Sequence, residues 1–72
     1  MKVTIYTGKE FISIDAAEKY LKEMLDKSLA KLYTEIKSNT INQERLLKLI
    51  SDIHFINTDI TKLEECKKWI QD

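Results

Sequence analysis

Apolar residues recur at helical spacing along most of the chain. From Asp15 to Lys37 they keep to one broad stripe with a period near 3.6, which predicts an amphipathic helix. A second stripe lies within residues 41–71, where the apolar positions are spaced alternately three and four residues apart. Those positions are Leu46, Leu49, Ile53, Ile56, Ile60, Leu63, Lys67 and Ile70, with Lys67 as the one departure. This seven-residue repeat predicts a second helix with coiled-coil-like packing.

The two stripes are separated by the Ser-Asn-Thr segment at 38–40. Asn39 is suited to end the first helix in the left-handed conformation, and Thr40 with Gln43 matches a capping box for the second. A connection this short makes the helices antiparallel neighbours. Residues 57–59 (Asn-Thr-Asp) have weak helix propensity, but the repeat passes through them in phase. We therefore predict one unbroken second helix.

The first residues alternate instead of following a helical period. Val3 and Ile5 share one face of a predicted strand over residues 2–6. Gly8 can supply the positive φ of a tight turn, and residues 10–14 offer a second short strand. Ser13 and Asp15 are both suited to cap the helix that follows.

These patterns predict a mainly helical α+β fold: a short N-terminal β-strand or β-hairpin and then a long antiparallel two-helix hairpin. The expected division of a single domain over 1–72 is a strand region at 1–14 and helices at 15–37 and 41–71.

The second helix carries apolar residues that its main stripe does not use. Phe55, Cys66 and Trp69 point roughly away from the seam between the helices. They could pack under the N-terminal strands, join two copies, or face a foreign partner. The open edge of the strands, with Val3 and Ile5, could also pair with a second copy. We therefore take these five residues as candidates for a partner or dimer interface.

Charge and composition narrow the possible partners. Twelve basic and twelve acidic residues cancel, so nucleic acid is an unlikely partner. No apolar run approaches the roughly 20 residues of a membrane span, and the first residues lack the apolar core of a signal peptide, which favours a cytoplasmic location. The single Cys66 and single His54 can form neither a disulfide nor a structural zinc site, so we expect no metal and no cofactor.

Catalytic chemistry is not indicated either, because no nucleophile, base and orienting group can be assembled with any specificity. We therefore expect a non-enzymatic protein–protein interaction module, homodimeric, that binds and modulates or inhibits a host or cognate protein. Its richness in Lys, Ile and Asn is typical of AT-rich coding sequences, which suggests a low-GC bacterium, its phages or its mobile elements. The alternatives are a dimeric nucleic-acid-binding regulatory protein and a purely structural, self-assembling helical protein.

Overall fold

The computed structural model describes residues 2–70, with side chains for 2–69, as two short strands followed by two helices. The strands are β1 (Val3–Thr4) and β2 (Glu10–Phe11), and the helices are α1 (Ile14–Lys37) and α2 (Gln43–Ile70). The helices pack antiparallel in a body of 50 × 21 × 15 Å. The predicted class, a mainly helical α+β chain with a β-hairpin before a long two-helix hairpin, is confirmed.

Helix α2 runs without a break through residues 57–59, as the repeat predicted. The Thr58 hydroxyl donates to the carbonyl oxygen of His54 at 2.8 Å, so its polar group is satisfied without leaving the helix. The helix begins two residues later than the predicted Ile41. Its predicted end at Gln71 lies outside the described residues, as does the side chain of Ile70 in the seam.

The loop between the helices differs from the prediction in its caps. Asn42, not Thr40, caps α2, because its Oδ1 accepts from the backbone N–H of Arg45 at 3.1 Å. The N–H of Thr40 instead donates to the hydroxyl of Ser38 within the loop. The prediction that Asn39 adopts the left-handed conformation is also wrong, because within residues 2–70 Gly8 alone has a positive φ. Ser38 ends α1 in an extended conformation.

The β-hairpin is shorter than predicted. Val3 pairs with Phe11 and Thr4 with Glu10, and the turn between them uses Gly8 at φ 91°. The second strand stops at Phe11, not at Ile14, because Ser13 already caps α1. The hydroxyl of Ser13 accepts from the N–H of Ala16 at 3.1 Å. Of the two predicted caps, Ser13 is therefore the one used.

The buried apolar core extends from the middle of the helix pair to the end that carries the strands. It consists of Ile5, Ala17, Leu21, Ile56, Ile60 and Leu63. The ring of Phe11 packs on that of Tyr20 with centroids 5.2 Å apart, and the N–H of Tyr6 donates to Asp59 Oδ2 at 2.7 Å. These contacts hold the β-hairpin against one side of both helices. Between residues 22 and 55, which include the loop end, Glu35 is the only buried side chain.

We expect Leu21→Ala to lower the free energy of unfolding by about 2–5 kcal/mol, because Leu21 is fully buried and its loss leaves a cavity. Urea denaturation followed by circular dichroism measures this. Ile12→Ala is the matched control, since Ile12 is 87% exposed and its truncation should change stability by less than about 0.5 kcal/mol. Equal effects of the two substitutions would contradict this placement of the core.

Candidate interaction surface

The lysine that interrupts the heptad repeat is paired across the seam. Lys67 Nζ lies 2.6 Å from Asp15 Oδ1 and 3.0 Å from Glu18 Oε1, both in the first turns of α1. The hydrogen bonds to Asp15 and Glu18 raise the pKa of Lys67. The hydrogen bond from Lys67, with Lys22 nearby, lowers the pKa of Glu18. The departure from the apolar pattern is therefore an ion pair that closes the strand end of the seam.

A second charged contact closes the loop end, and the apolar pattern of the sequence does not predict it. Glu35 is 8% exposed; its Oε1 accepts from the N–H of Asn42 at 3.2 Å, and its Oε2 lies 3.5 Å from Arg45 Nη1. Glu35 follows Leu21 and Ser28 at intervals of seven, and Arg45 is the chain's one arginine. An acidic residue in the heptad of α1, opposite that arginine, was the signal that could have revealed this pair.

Large apolar side chains remain exposed in the loop half of the helix pair. Of the ten exposed large hydrophobic residues among 2–69, six lie in or beside this half: Leu29, Tyr33, Ile36, Ile41, Leu47 and Ile50. Three of them, Leu29, Ile36 and Ile50, lie on one flank of the helix pair, beside half-buried residues of the seam. We call the resulting surface the tip face and define it as Leu29, Leu32, Ile36, Leu46, Ile50 and Ile53.

The tip face lies on the flank of the helix pair opposite the β-hairpin. At about 100° per residue, Leu29 and Ile36 of α1 lie on the other side of the seam from Tyr20, which contacts the hairpin. Ile50 of α2 is likewise on the other side from Asp59. The hairpin therefore leaves the tip face uncovered. Leu29 is 45%, Ile36 56% and Ile50 48% exposed.

The flank that bears the β-hairpin is polar near the loop. A groove of about 550 Å³ runs there between the helices. It is lined by Ala30, Lys31, Thr34, Glu35, Arg45, Lys48, Leu49 and Asp52. Three basic and two acidic side chains line it, so its charge is mixed. The two flanks of the same helix pair thus differ sharply, one mixed in charge and the other apolar.

The five residues predicted for an interface do not form one patch. Ile5 is only 5% exposed and belongs to the core, and Val3 is half-buried against it. Phe55 is 49% exposed and stacks on Tyr6 with ring centroids 5.8 Å apart. Burial, with Asp52 and Asp59 nearby, raises the pKa of that tyrosine.

Cys66 and Trp69 lie further along α2, where the strands do not reach. Cys66 is exposed, and Trp69 is 82% exposed. Phe55 is about 16 Å from Cys66 along the helix axis, at 1.5 Å per residue. Phe55 therefore packs in part on the strand region, as one of the three possibilities had it. Trp69 does not pack there. The β-hairpin region instead contacts Phe55, Asp59 and Leu63, which lie earlier in α2.

The described side chains offer no cluster of three or more His, Cys, Asp or Glu residues that could hold a metal ion. Neither of the described helices is long and apolar enough to cross a membrane. Comparison with known protein families, with curated proteins and with solved structures finds no match. The surface itself is therefore the basis for a functional proposal.

The ion pair at the strand end predicts a specific loss of stability in acid. Because the pKa of Glu18 is lowered on folding, its stabilisation is present above the ordinary value of 4.5 and is lost as the pH falls through the lowered pKa. We expect Glu18→Gln to flatten the acid limb of a plot of unfolding free energy against pH. Glu23→Gln removes the same charge from an exposed site on α1 and should leave the limb as in the parent chain. A steep limb retained in Glu18→Gln would argue against the pairing.

The exposure of Trp69 predicts that its side chain adds little to stability. We expect Trp69→Ala to change the free energy of unfolding by less than about 0.5 kcal/mol, whereas a buried tryptophan would cost about 3–5 kcal/mol. Thermal and urea unfolding measure this. A cost in the larger range would mean that the indole packs on this chain or on a second copy.

Proposed function

We propose that this chain is a small, non-catalytic protein–protein interaction module that binds and modulates a host or cognate protein. The observation that carries this proposal is the tip face, a continuous apolar surface built from both helices. Contiguous exposed apolar surface of this kind is characteristic of interaction sites. Single exposed hydrophobic residues are ordinary, but three exposed and three half-buried apolar side chains on one flank are not.

Burial of the tip face would supply part of the free energy of binding. Burying a whole Leu or Ile side chain is worth about 1.5–3 kcal/mol, so completing the burial of a half-exposed one contributes roughly 1 kcal/mol. Leu29, Ile36 and Ile50 are each about half exposed. The half-buried members of the face would add smaller amounts. A partner that covers the face therefore gains several kcal/mol before the entropic cost of association.

The charges of the chain favour a protein over a nucleic acid as the partner. Residues of the tip face are all uncharged, whereas phosphate recognition requires basic side chains. In the polar groove, Glu35 and Asp52 accompany the basic residues. The regulatory nucleic-acid-binding alternative therefore has less support. Inhibition of the partner is a finer proposal, consistent with a small module that occupies a surface on a larger protein.

The proposal predicts that one charge on the tip face abolishes partner binding. We would immobilise the chain, Ile50→Lys and Ser51→Lys, and expose each to a lysate of a low-GC bacterium. Ser51 is the neighbouring exposed residue, so it takes the same new charge on the outer side of α2. We expect the parent and Ser51→Lys to retain one stoichiometric protein and Ile50→Lys to lose it, because an ammonium group does not fit in an apolar contact.

Two results would contradict the proposal. Retention of the same protein by Ile50→Lys would exclude the tip face as the binding surface. Recovery of nucleic acid in place of protein, with a steep loss on added salt, would favour the regulatory alternative. Circular dichroism of each variant confirms that the helices α1 and α2 are still formed.

A further inference from the structure

We infer that an acidic aromatic patch on the hairpin side of α2 binds a basic segment of a partner protein, whose arginine side chains are the groups recognised. The patch consists of Tyr6, Asp52, Phe55 and Asp59. It lies on the flank opposite the tip face, so it is a second interaction surface whose role does not depend on the first. Charge, geometry and exposure of these four side chains support this assignment.

The two carboxylates of the patch differ from the other buried or half-buried charged groups of residues 2–69. Those others are Glu18, Glu35 and Lys67, and each of them makes an ion pair within the chain. Asp52 and Asp59 are half-buried too, but neither forms an ion pair within residues 2–69. A carboxylate that loses part of its hydration without gaining a cation is left uncompensated. A cation from a partner therefore gains more here than at a fully exposed acid.

The lysines nearest to these carboxylates on α2 do not neutralise them. Lys48 lines the same groove as Asp52, and Lys62 lines the same small cavity as Asp59. Both lysines are exposed, and neither is paired with an acid of the patch. Asp59 Oδ2 instead accepts from the N–H of Tyr6 at 2.7 Å. That hydrogen bond fixes the orientation of the carboxylate, and its Oδ1 can accept from a ligand.

An aromatic pair lies between the two carboxylates. Asp52, Phe55 and Asp59 fall within about 60° of the circumference of α2, and the two acids are about 10 Å apart along its axis. The ring of Tyr6 stacks on Phe55, and the ring of His54 meets Phe55 edge-on, both at 5.8 Å between centroids. Tyr6 is nevertheless 37% and Phe55 49% exposed. The rings are thus held in place while part of their surface stays open, which lowers the entropic cost of binding.

A guanidinium group matches this combination of groups. It is planar, it stacks on aromatic rings, and it donates two parallel hydrogen bonds to a carboxylate. Burial, and then the charges of Asp52 and Asp59, raise the pKa of Tyr6, so the phenol keeps its proton at neutral pH and presents a hydroxyl group beside the two acids. A phosphate or another anion would be repelled by both carboxylates. The chemistry of the patch therefore selects a cationic ligand, and arginine in particular.

The spacing of the acids defines a suitable probe. Residues three apart in a polyproline II segment share a face and are about 9 Å apart, close to the separation of Asp52 and Asp59. We would use a four-residue peptide, arginine-proline-proline-arginine with blocked ends, because its prolines favour this conformation. The matched control peptide has citrulline in place of both arginines, which keeps the shape of the side chain and removes its charge.

Titration of the full chain with each peptide, followed by nuclear magnetic resonance, tests the inference. We expect the arginine peptide to shift the ring resonances of Tyr6 and Phe55 and the citrulline peptide to bind at least about tenfold more weakly. This comparison uses the parent chain, so it does not depend on the folding of a variant. Equal dissociation constants for the two peptides would overturn the inference. So would shifts centred on Glu44 or Glu64, or no shift at millimolar peptide.

A pair of double variants tests the role of the carboxylates. Asp52→Asn with Asp59→Asn removes both charges but keeps an oxygen that can accept from the N–H of Tyr6. We expect it to raise the dissociation constant of the arginine peptide at least about tenfold. Asp26→Asn with Glu64→Gln removes two charges from exposed positions outside the patch and should keep the constant within about twofold. An equal loss in both pairs would mean that only the net charge matters and would overturn the inference.

Failure of this inference can be told apart from failure of the proposed function. Ile50→Lys alters the opposite flank, so we expect it to bind the arginine peptide within about twofold of the parent chain. A chain that binds the peptide but captures the same lysate protein after Ile50→Lys would refute the tip face and leave the patch standing. A chain whose capture of a protein depends on Ile50 but which does not distinguish the two peptides would refute the patch alone.

Discussion

Two helices can bury only the side chains along the line where they meet, and this limit governs the whole molecule. Each helix carries an apolar stripe wider than that line. The β-hairpin covers the surplus on one flank and at one end, where Ile5 joins Leu21, Ile60 and Leu63 in the core. Nothing in residues 2–69 covers the opposite flank near the loop. The candidate site is thus the part of the apolar stripes that neither the other helix nor the β-hairpin covers.

Charged pairs at both ends of the seam define how the helices align. An apolar heptad stripe by itself permits neighbouring registers of similar energy, because leucine and isoleucine recur at each turn. Lys67 meets Asp15 and Glu18 at one end, and Arg45 meets Glu35 at the other. A shift by one turn would separate both pairs at once and leave Glu35 buried without a charged partner. Polar groups in the seam thus select the register, while the apolar residues supply most of the stabilisation.

The sequence predicted the elements well and their ends less well. Periodicity identified the unbroken α2 because a long repeat adds many weak preferences that outweigh the poor propensity of residues 57–59. Caps depend on single residues, and several neighbouring residues can fill the same role. Asn42 therefore caps α2 in place of Thr40, and Ser13 caps α1, so the second strand is shorter than predicted. Periodicity also cannot say which side of a helix pair a β-hairpin will cover. For that reason the alternating pattern places Ile5 at a strand edge, and the helical periodicity does not reveal the tip face.

The uneven distribution of burial along the seam has a consequence for the lifetime of the chain. The buried apolar side chains lie between the middle of the helix pair and the strand end, so we expect the loop end to open at a lower free energy. Proteases cleave segments that open in this way, and the loop at residues 38–42 is the exposed point of the fold. A partner that covers the tip face also covers the loop half and would protect it from cleavage. The lifetime of the chain would then depend on whether its partner is bound.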